Sequence, residues 1–120
     1  MSLNNPAKMY KKKSIVSFEN FQMLDIRIGE VLLTEIIKKN LHKLTVNIGN
    51  RNITTICNLG ENANKEEIIG KKICVLLNDK PNKIKGVYTQ GSILKVENEF
   101  GKLIFLEPDT QDIKAGLKVY

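Results

Sequence analysis

Few side chains in this 120-residue chain are suited to catalysis. The single histidine, His42, falls where a turn is expected and has no Cys, Asp or Glu at a metal-ligand spacing. Cys57 and Cys74 sit in separate apolar runs, with no further cysteine to complete a zinc set or a disulfide framework. They read as two buried thiols in a reducing compartment. Glu66-Glu67 falls on a short helix and reads as a solvated face rather than an acid/base pair. No nucleophile elbow, glycine-rich phosphate loop or H-E-x-x-H motif occurs. Chemistry directed at phosphates is better represented. Lys80, Lys83 and Lys85 fall together in LNDKPNKIKG, where Pro81 and Gly86 restrict the turn. Each ammonium group can neutralise one phosphate and release counterions. Asn78, Thr89, Gln90 and Ser92 lie beside them and offer donors and acceptors for bases or riboses. The competing reading is a solubilising lysine loop. Tyr88 is the aromatic residue of this stretch, available either for packing or for stacking on a base.

The charge distribution adds weight to that segment. Residues 1–17 carry +4 and residues 71–85 carry +4, while 18–70 and 86–120 carry −1 each, giving the net +6. Two concentrated positive segments point to an anionic partner. Arg27 and Arg51 fall on the polar parity of their strands, facing either a ligand groove or a salt-bridge partner. Lys11-Lys12-Lys13 and Lys38-Lys39 are further candidates for phosphate contacts or plain solvation.

The elements that must position these residues are mostly strands. Residues 1–14 read as a flexible basic arm and 15–120 as one domain. Ser17 caps a single helical turn bearing Phe18 and Phe21. Ile26 and Ile28 alternate with polar residues, and the apolar parity then changes at Gly29 to Val31 and Leu33, predicting a bulge or coil there. Leu44, Val46 and Ile48 alternate with polar residues, Gly49-Asn50 marks a hairpin turn, and Ile53–Cys57 is the returning strand. Asn64 caps a short helix through Ile68, closed by Gly70. Residues 72–78 read as a strand buried on both sides, 79–87 as a polar loop, and Ile93–Val96 and Leu103–Leu106 as the last two strands. The fold class is therefore all-β. A five-stranded OB-fold barrel, with a short helix between strands 3 and 4 and short terminal extensions, fits this order, and an SH3-like barrel is the alternative. The longest apolar runs are too short to span a bilayer, and no signal-peptide core follows the N-terminal lysines, so a cytoplasmic location is expected.

Several segments resemble the tRNA-binding domain family. Phe18-Glu19-Asn20-Phe21 followed by Asp25-Ile26-Arg27-Ile28-Gly29-Glu30-Val31 is similar to its opening. Arg51-Asn52-Ile53 and Glu66–Ile73 resemble two further motifs, and NDKPNKIKGVYTQGSIL, Asn78 to Leu94, resembles the most specific one. The family includes free-standing tRNA-binding proteins and the C-terminal or beta-subunit-like domain of methionyl-tRNA synthetase. The resemblance implies an OB barrel, commonly a homodimer, that binds tRNA without a catalytic centre, a cofactor or a metal, alone or with an aminoacyl-tRNA synthetase such as the methionyl enzyme. It places Asn78, Lys80, Lys83, Lys85, Gln90 and Ser92 at the RNA-binding surface, with Arg51 and Arg27 alongside. The chain departs from the family at Lys39–Leu44, which lacks a proline and an aspartate, and at Asp79, Tyr88, Thr89 and Ser92. CsaA-type chaperones, which bind unfolded polypeptides, form a sister branch with a similar ending in Gly116–Tyr120. Gln90-Gly91 favours the tRNA branch.

Overall fold

A computed structural model describes residues 11–60 and 63–120 of the chain. Of the expected basic arm, residues 1–10 lie outside the described part, and Lys11–Ser14 are exposed without regular secondary structure. Helix α1 spans Phe18–Gln22, with the Ser17 hydroxyl accepting from the Asn20 amide at 3.1 Å. Strands β1 (Ile26–Lys38), β2 (Leu41–Asn47) and β3 (Asn52–Asn58) form an antiparallel meander. Helix α2 (Lys65–Ile68) follows, with Asn64 capping the Glu66 amide. Then come β4 (Lys72–Leu76), β5 (Asn82–Ile84), β6 (Val87–Thr89), β7 (Ser92–Ile93), β8 (Lys95–Glu97) and β9 (Leu103–Phe105). The main sheet has the order β3-β2-β1-β4-β7, with β5–β6 and β8–β9 as separate hairpins. It curls until β3 meets the segment after β6, where the Gln90 amide donates to the Thr54 carbonyl at 2.8 Å.

Register matches burial, which is why these strands pair as they do. Leu44 opposes Thr55, Val46 opposes Ile53 and His42 opposes Cys57, all six side chains lying inside. Val31, Ile73, Val75 and Ile93 complete the core from β1, β4 and β7. Each such apolar side chain contributes on the order of 1.5–3 kcal/mol by leaving water. Gly29 makes room for this packing, because a Cβ there would stand 2.6 Å from Val46 Cγ1 and 3.0 Å from Val75 Cγ2.

The apolar parity change in β1 has a different origin from the one expected. Residues 26–30 run in unbroken register with β4, so no bulge lies at Gly29. Ile28 is buried apart from the core cluster, while Val31 points into it. The irregularity falls between Val31 and Leu33. It turns Leu33 outward and Thr34 inward. That shift also accounts for His42. The residue is no turn position but the second residue of β2, 3% exposed, and its Nδ1 lies 3.2 Å from the Thr34 hydroxyl. Thr34 supplies the hydrogen-bond partner a buried imidazole needs. Strand β4 likewise differs from expectation: Ile73 and Val75 are fully buried, while Cys74 and Leu76 are only partly so.

Burial holds the His42 pKa below its ordinary 6.5, with the Lys65 ammonium adding a smaller push in the same direction. The folded state therefore binds a proton less readily than the unfolded chain. Unfolding is favoured as pH falls below 6.5, with a slope from this group of at most about 1.4 kcal/mol per pH unit. Urea denaturation at pH 7.5 and 5.5 is expected to give a lower midpoint at the acid value. Equal midpoints would show that His42 titrates alike in both states.

Residues 116–119 close the other side of β1. The Ile28 amide donates to the Leu117 carbonyl at 2.9 Å, the Gly116 amide to the Ile28 carbonyl at 2.7 Å, and Arg27 pairs with Lys118. Gly49 and Gly116, both at positive φ, cross where a Cβ on either would come within 2.9 Å of the other's Cα.

Candidate nucleic-acid interface

Three lysines of the positive segment stand on the expected stretch, which is a hairpin from Asn82 onward rather than a loop, with Lys80 just ahead of it. β5 and β6 pair Asn82 with Thr89, Lys83 with Tyr88 and Ile84 with Val87. The two-residue turn is Lys85-Gly86, at φ +50° and +80°, the pattern of a type I′ turn. Its handedness suits the twist of the strands, at the cost of a left-handed lysine, roughly 1–2 kcal/mol above its relaxed state. Lys80, Lys83 and Lys85 are exposed and form no salt bridge among the described residues. The other two lysines of that segment work elsewhere: Lys71 pairs with Glu107 at 2.9 Å, and Lys72 Nζ donates to the Gln111 carbonyl at 3.2 Å.

The remaining predicted residues divide into two groups. Arg51, at the end of the β2–β3 turn, donates from Nη1 to Gln90 Oε1 at 3.4 Å, and both are exposed. Gln90 follows directly on the lysine hairpin, so these two side chains adjoin it. Asn78, Ser92 and Arg27 instead have partners within the fold. Asn78 accepts from the Asp25 amide at 2.8 Å and donates to the Met23 carbonyl at 2.6 Å, latching the start of the hairpin segment to the α1–β1 connection. The Ser92 hydroxyl donates to Asp79, bracing the foot of the hairpin against β7. The second Asp79 oxygen is buried and has no partner among the described residues. Arg27 forms a two-pronged contact with Asp25, Nε to Oδ1 at 2.8 Å and Nη2 to Oδ2 at 3.3 Å. This is the salt-bridging alternative for that residue.

Asp79 and Asp25 are the contributors that sequence reasoning passed over. Both partner residues already singled out, and the acid within a lysine segment was the available signal. Gly91 fixes the corner after Gln90. It holds φ +76°, and the Thr55 hydroxyl donates to its carbonyl at 2.9 Å.

Elsewhere the chemistry is sparse. Burial pushes the Cys57 thiol up to about 11, partly offset by Lys95, so it stays protonated at neutral pH. Burial raises the partly buried Cys74 as well. Among the described residues no cluster of three His, Cys, Asp or Glu side chains could hold a metal ion, and no helix is long and apolar enough to cross a membrane. A cleft of about 630 Å³ between α2 and the β8–β9 hairpin is lined by residues such as Leu59, Ile68 and Phe105, and by none of the predicted site residues.

A curled five-stranded antiparallel sheet with a short helix between its third and fourth strands is the architecture of an OB-type domain. The comparisons with known proteins narrow this further. The family described as "Putative tRNA binding domain" matches residues 26–118, and the chain belongs to it. It is 38% identical over 114 residues to a methionine–tRNA ligase of Christiangramia forsetii, covering 93% of this chain and 16% of that enzyme. A methionine–tRNA ligase of Archaeoglobus fulgidus is 41% identical over 114 residues, with 93% and 17% covered. The chain thus spans about a sixth of the length of these relatives. Among solved structures, a MetRS-related protein from Pyrococcus horikoshii superposes with a TM-score of 0.81 at 29% identity, over 90% of this chain and all of that one. The chaperone CsaA of Bacillus anthracis gives 0.80 at 25% identity, over 89% and 100%.

Proposed function

We propose that this domain binds structured tRNA without catalysing a reaction, holding it by shape and phosphate contacts and working in trans with a methionyl-tRNA synthetase. The reading is carried by one observation: a hairpin and the residues leading into it carry three exposed lysines without a salt bridge among the described residues, adjoined by Arg51 and Gln90, in a member of a tRNA-binding family. Lys80, Lys83 and Lys85 contact phosphates in this reading, and Arg51 and Gln90 contact ribose or base edges. Asn78, Ser92 and Arg27 act behind them by fixing the hairpin's base, their remaining polar atoms available to RNA.

The working unit is a homodimer. α1 and the 116–120 segment both adjoin the start of β1, and both keep apolar groups in water. Met23 is 69% and Tyr120 89% exposed, with Phe18 and Leu117 exposed nearby. Apolar surface of that kind favours a partner. A second reading, a polypeptide chaperone, draws on the likeness to CsaA and on the same apolar surface.

Filter binding of total tRNA and of an unfolded client protein, each at 50 and 200 mM salt, separates the two. The proposed function expects salt-sensitive tRNA binding and no competition by the client. Client binding indifferent to tRNA and salt would favour the chaperone. Light scattering is expected to return twice the 13.6 kDa chain mass.

A further inference from the structure

We infer that Tyr88 is a stacking platform for an unpaired nucleobase, so the hairpin reads single-stranded nucleotides as well as phosphates. The inference rests on the RNA-binding reading and deepens it. Tyr88 lies in β6 directly opposite Lys83, so the two side chains share one face of the hairpin. The opposite face carries Thr89, which is buried, with Ile84 and Val87 partly buried. A tyrosine serving the core would occupy that inner face. Tyr88 is instead 71% exposed. The Lys83 Nζ stands 6.0 Å from its ring centroid. That is the outer limit of a cation–π contact and leaves the ring accessible. Gln90 follows two residues on, at about 7 Å by strand rise, and also points outward with Arg51. An aromatic face, an ammonium group and an amide–guanidinium pair thus succeed one another along the hairpin's exit. This is the set that holds a single strand: a ring for the base, cations for the phosphates on either side, and a polar edge for the next base or ribose. Every base has a π-face, so the contact tolerates sequence. A base inside a duplex is already stacked and gains nothing from the ring.

The chain contains no tryptophan. Tyr88→Trp therefore places one fluorophore at the proposed seat. Titration with an oligouridylate of about eight nucleotides, within the usual footprint of an OB fold, is expected to quench it. Blunt double-stranded RNA is expected to leave it unchanged. Tyr88→Ala is expected to weaken binding of total tRNA and of the oligouridylate by roughly 5- to 150-fold, with duplex binding unaffected. Tyr88→Phe keeps the ring and is expected to restore most of that loss. Equal tRNA and oligouridylate binding by the alanine variant, or a tryptophan signal blind to the oligouridylate, overturns the inference and leaves the RNA-binding reading intact. Failure of the unaltered chain to bind tRNA at all overturns both.

Discussion

Replacing Lys80, Lys83 and Lys85 together by alanine is expected to weaken tRNA binding about 50-fold at 200 mM salt and about 1,000-fold at 50 mM. The figures follow from counterion release. Each neutralised phosphate contributes roughly 0.7–0.9 to the slope of log K against log salt, so three lysines contribute about 2–2.7. The variant's slope is expected to be shallower by that amount. Folding is not at stake, since all three side chains are exposed and make no salt bridge among the described residues. Surface changes of this kind alter stability by about 0.5 kcal/mol or less each. The measurement is filter binding across a salt series, with circular dichroism to confirm the fold. A folded variant with unaltered affinity and slope would remove the hairpin from the binding surface. Lys71 and Lys72 provide the contrast. They belong to the same positive stretch of sequence but are engaged with Glu107 and Gln111, so their loss is expected to spare the salt slope.

Gly91→Ala is expected to destabilise the fold by about 3 kcal/mol, lowering the melting temperature by about 12 °C. Two costs combine. The position holds φ +76°, which charges any residue with a Cβ roughly 1–2 kcal/mol. The new Cβ would also stand 3.0 Å from Ile53 Cδ1 and 3.1 Å from the Leu76 carbonyl oxygen. Crowding in a packed interior adds about 1–3 kcal/mol. Gly86→Ala isolates the first cost, because that glycine has a similar φ of +80° with nothing within 4 Å of its Cβ position. It is expected to lose only about 1–2 kcal/mol. Calorimetry of the two variants compares them directly, and equal losses would show that the crowding at Gly91 relaxes away. Because the Gly91 corner also orients Gln90, its alanine variant is expected to bind tRNA less well at temperatures where it remains folded.

Much of this architecture was legible in the sequence because burial here follows strand periodicity. Leu44, Val46 and Ile48 with Ile53 and Cys57 announced the meander, Gly49-Asn50 its turn, and Asn64 with Gly70 the bounds of α2. Where the reading failed, a side chain's role depended on partners distant in sequence. Thr34 turns inward because β1 is irregular against β2, and the imidazole of His42 can be buried only because that hydroxyl is there to meet it. The β5–β6 hairpin was invisible for a local reason. Its turn is Lys-Gly, whereas Asn-Gly or Asp-Gly would have signalled two successive left-handed residues. Its strands, Asn82-Lys83-Ile84 and Val87-Tyr88-Thr89, are only three residues each, too short to show a periodicity. At the candidate interface the lysines were readable from charge density. The internal commitments of Asn78 and Ser92 were not, because Met23, Asp25 and Asp79 become their partners only through the fold, whereas Arg27 and Asp25 are two residues apart and their pairing was one of the two readings open for that arginine.

The pairing of β1 with residues 116–119 bears on the order of assembly. The bridge from Arg27 to Lys118 closes a loop of about ninety residues, among the most distant contacts such a chain can make. While the polypeptide is being synthesised, the β1–β2–β3 meander can form from neighbouring segments, but the margin of β1 at residues 26–28 stays bare until residues 116–119 emerge. A nascent or clipped chain lacking them would offer that bare margin to any extended peptide nearby, another copy of itself included.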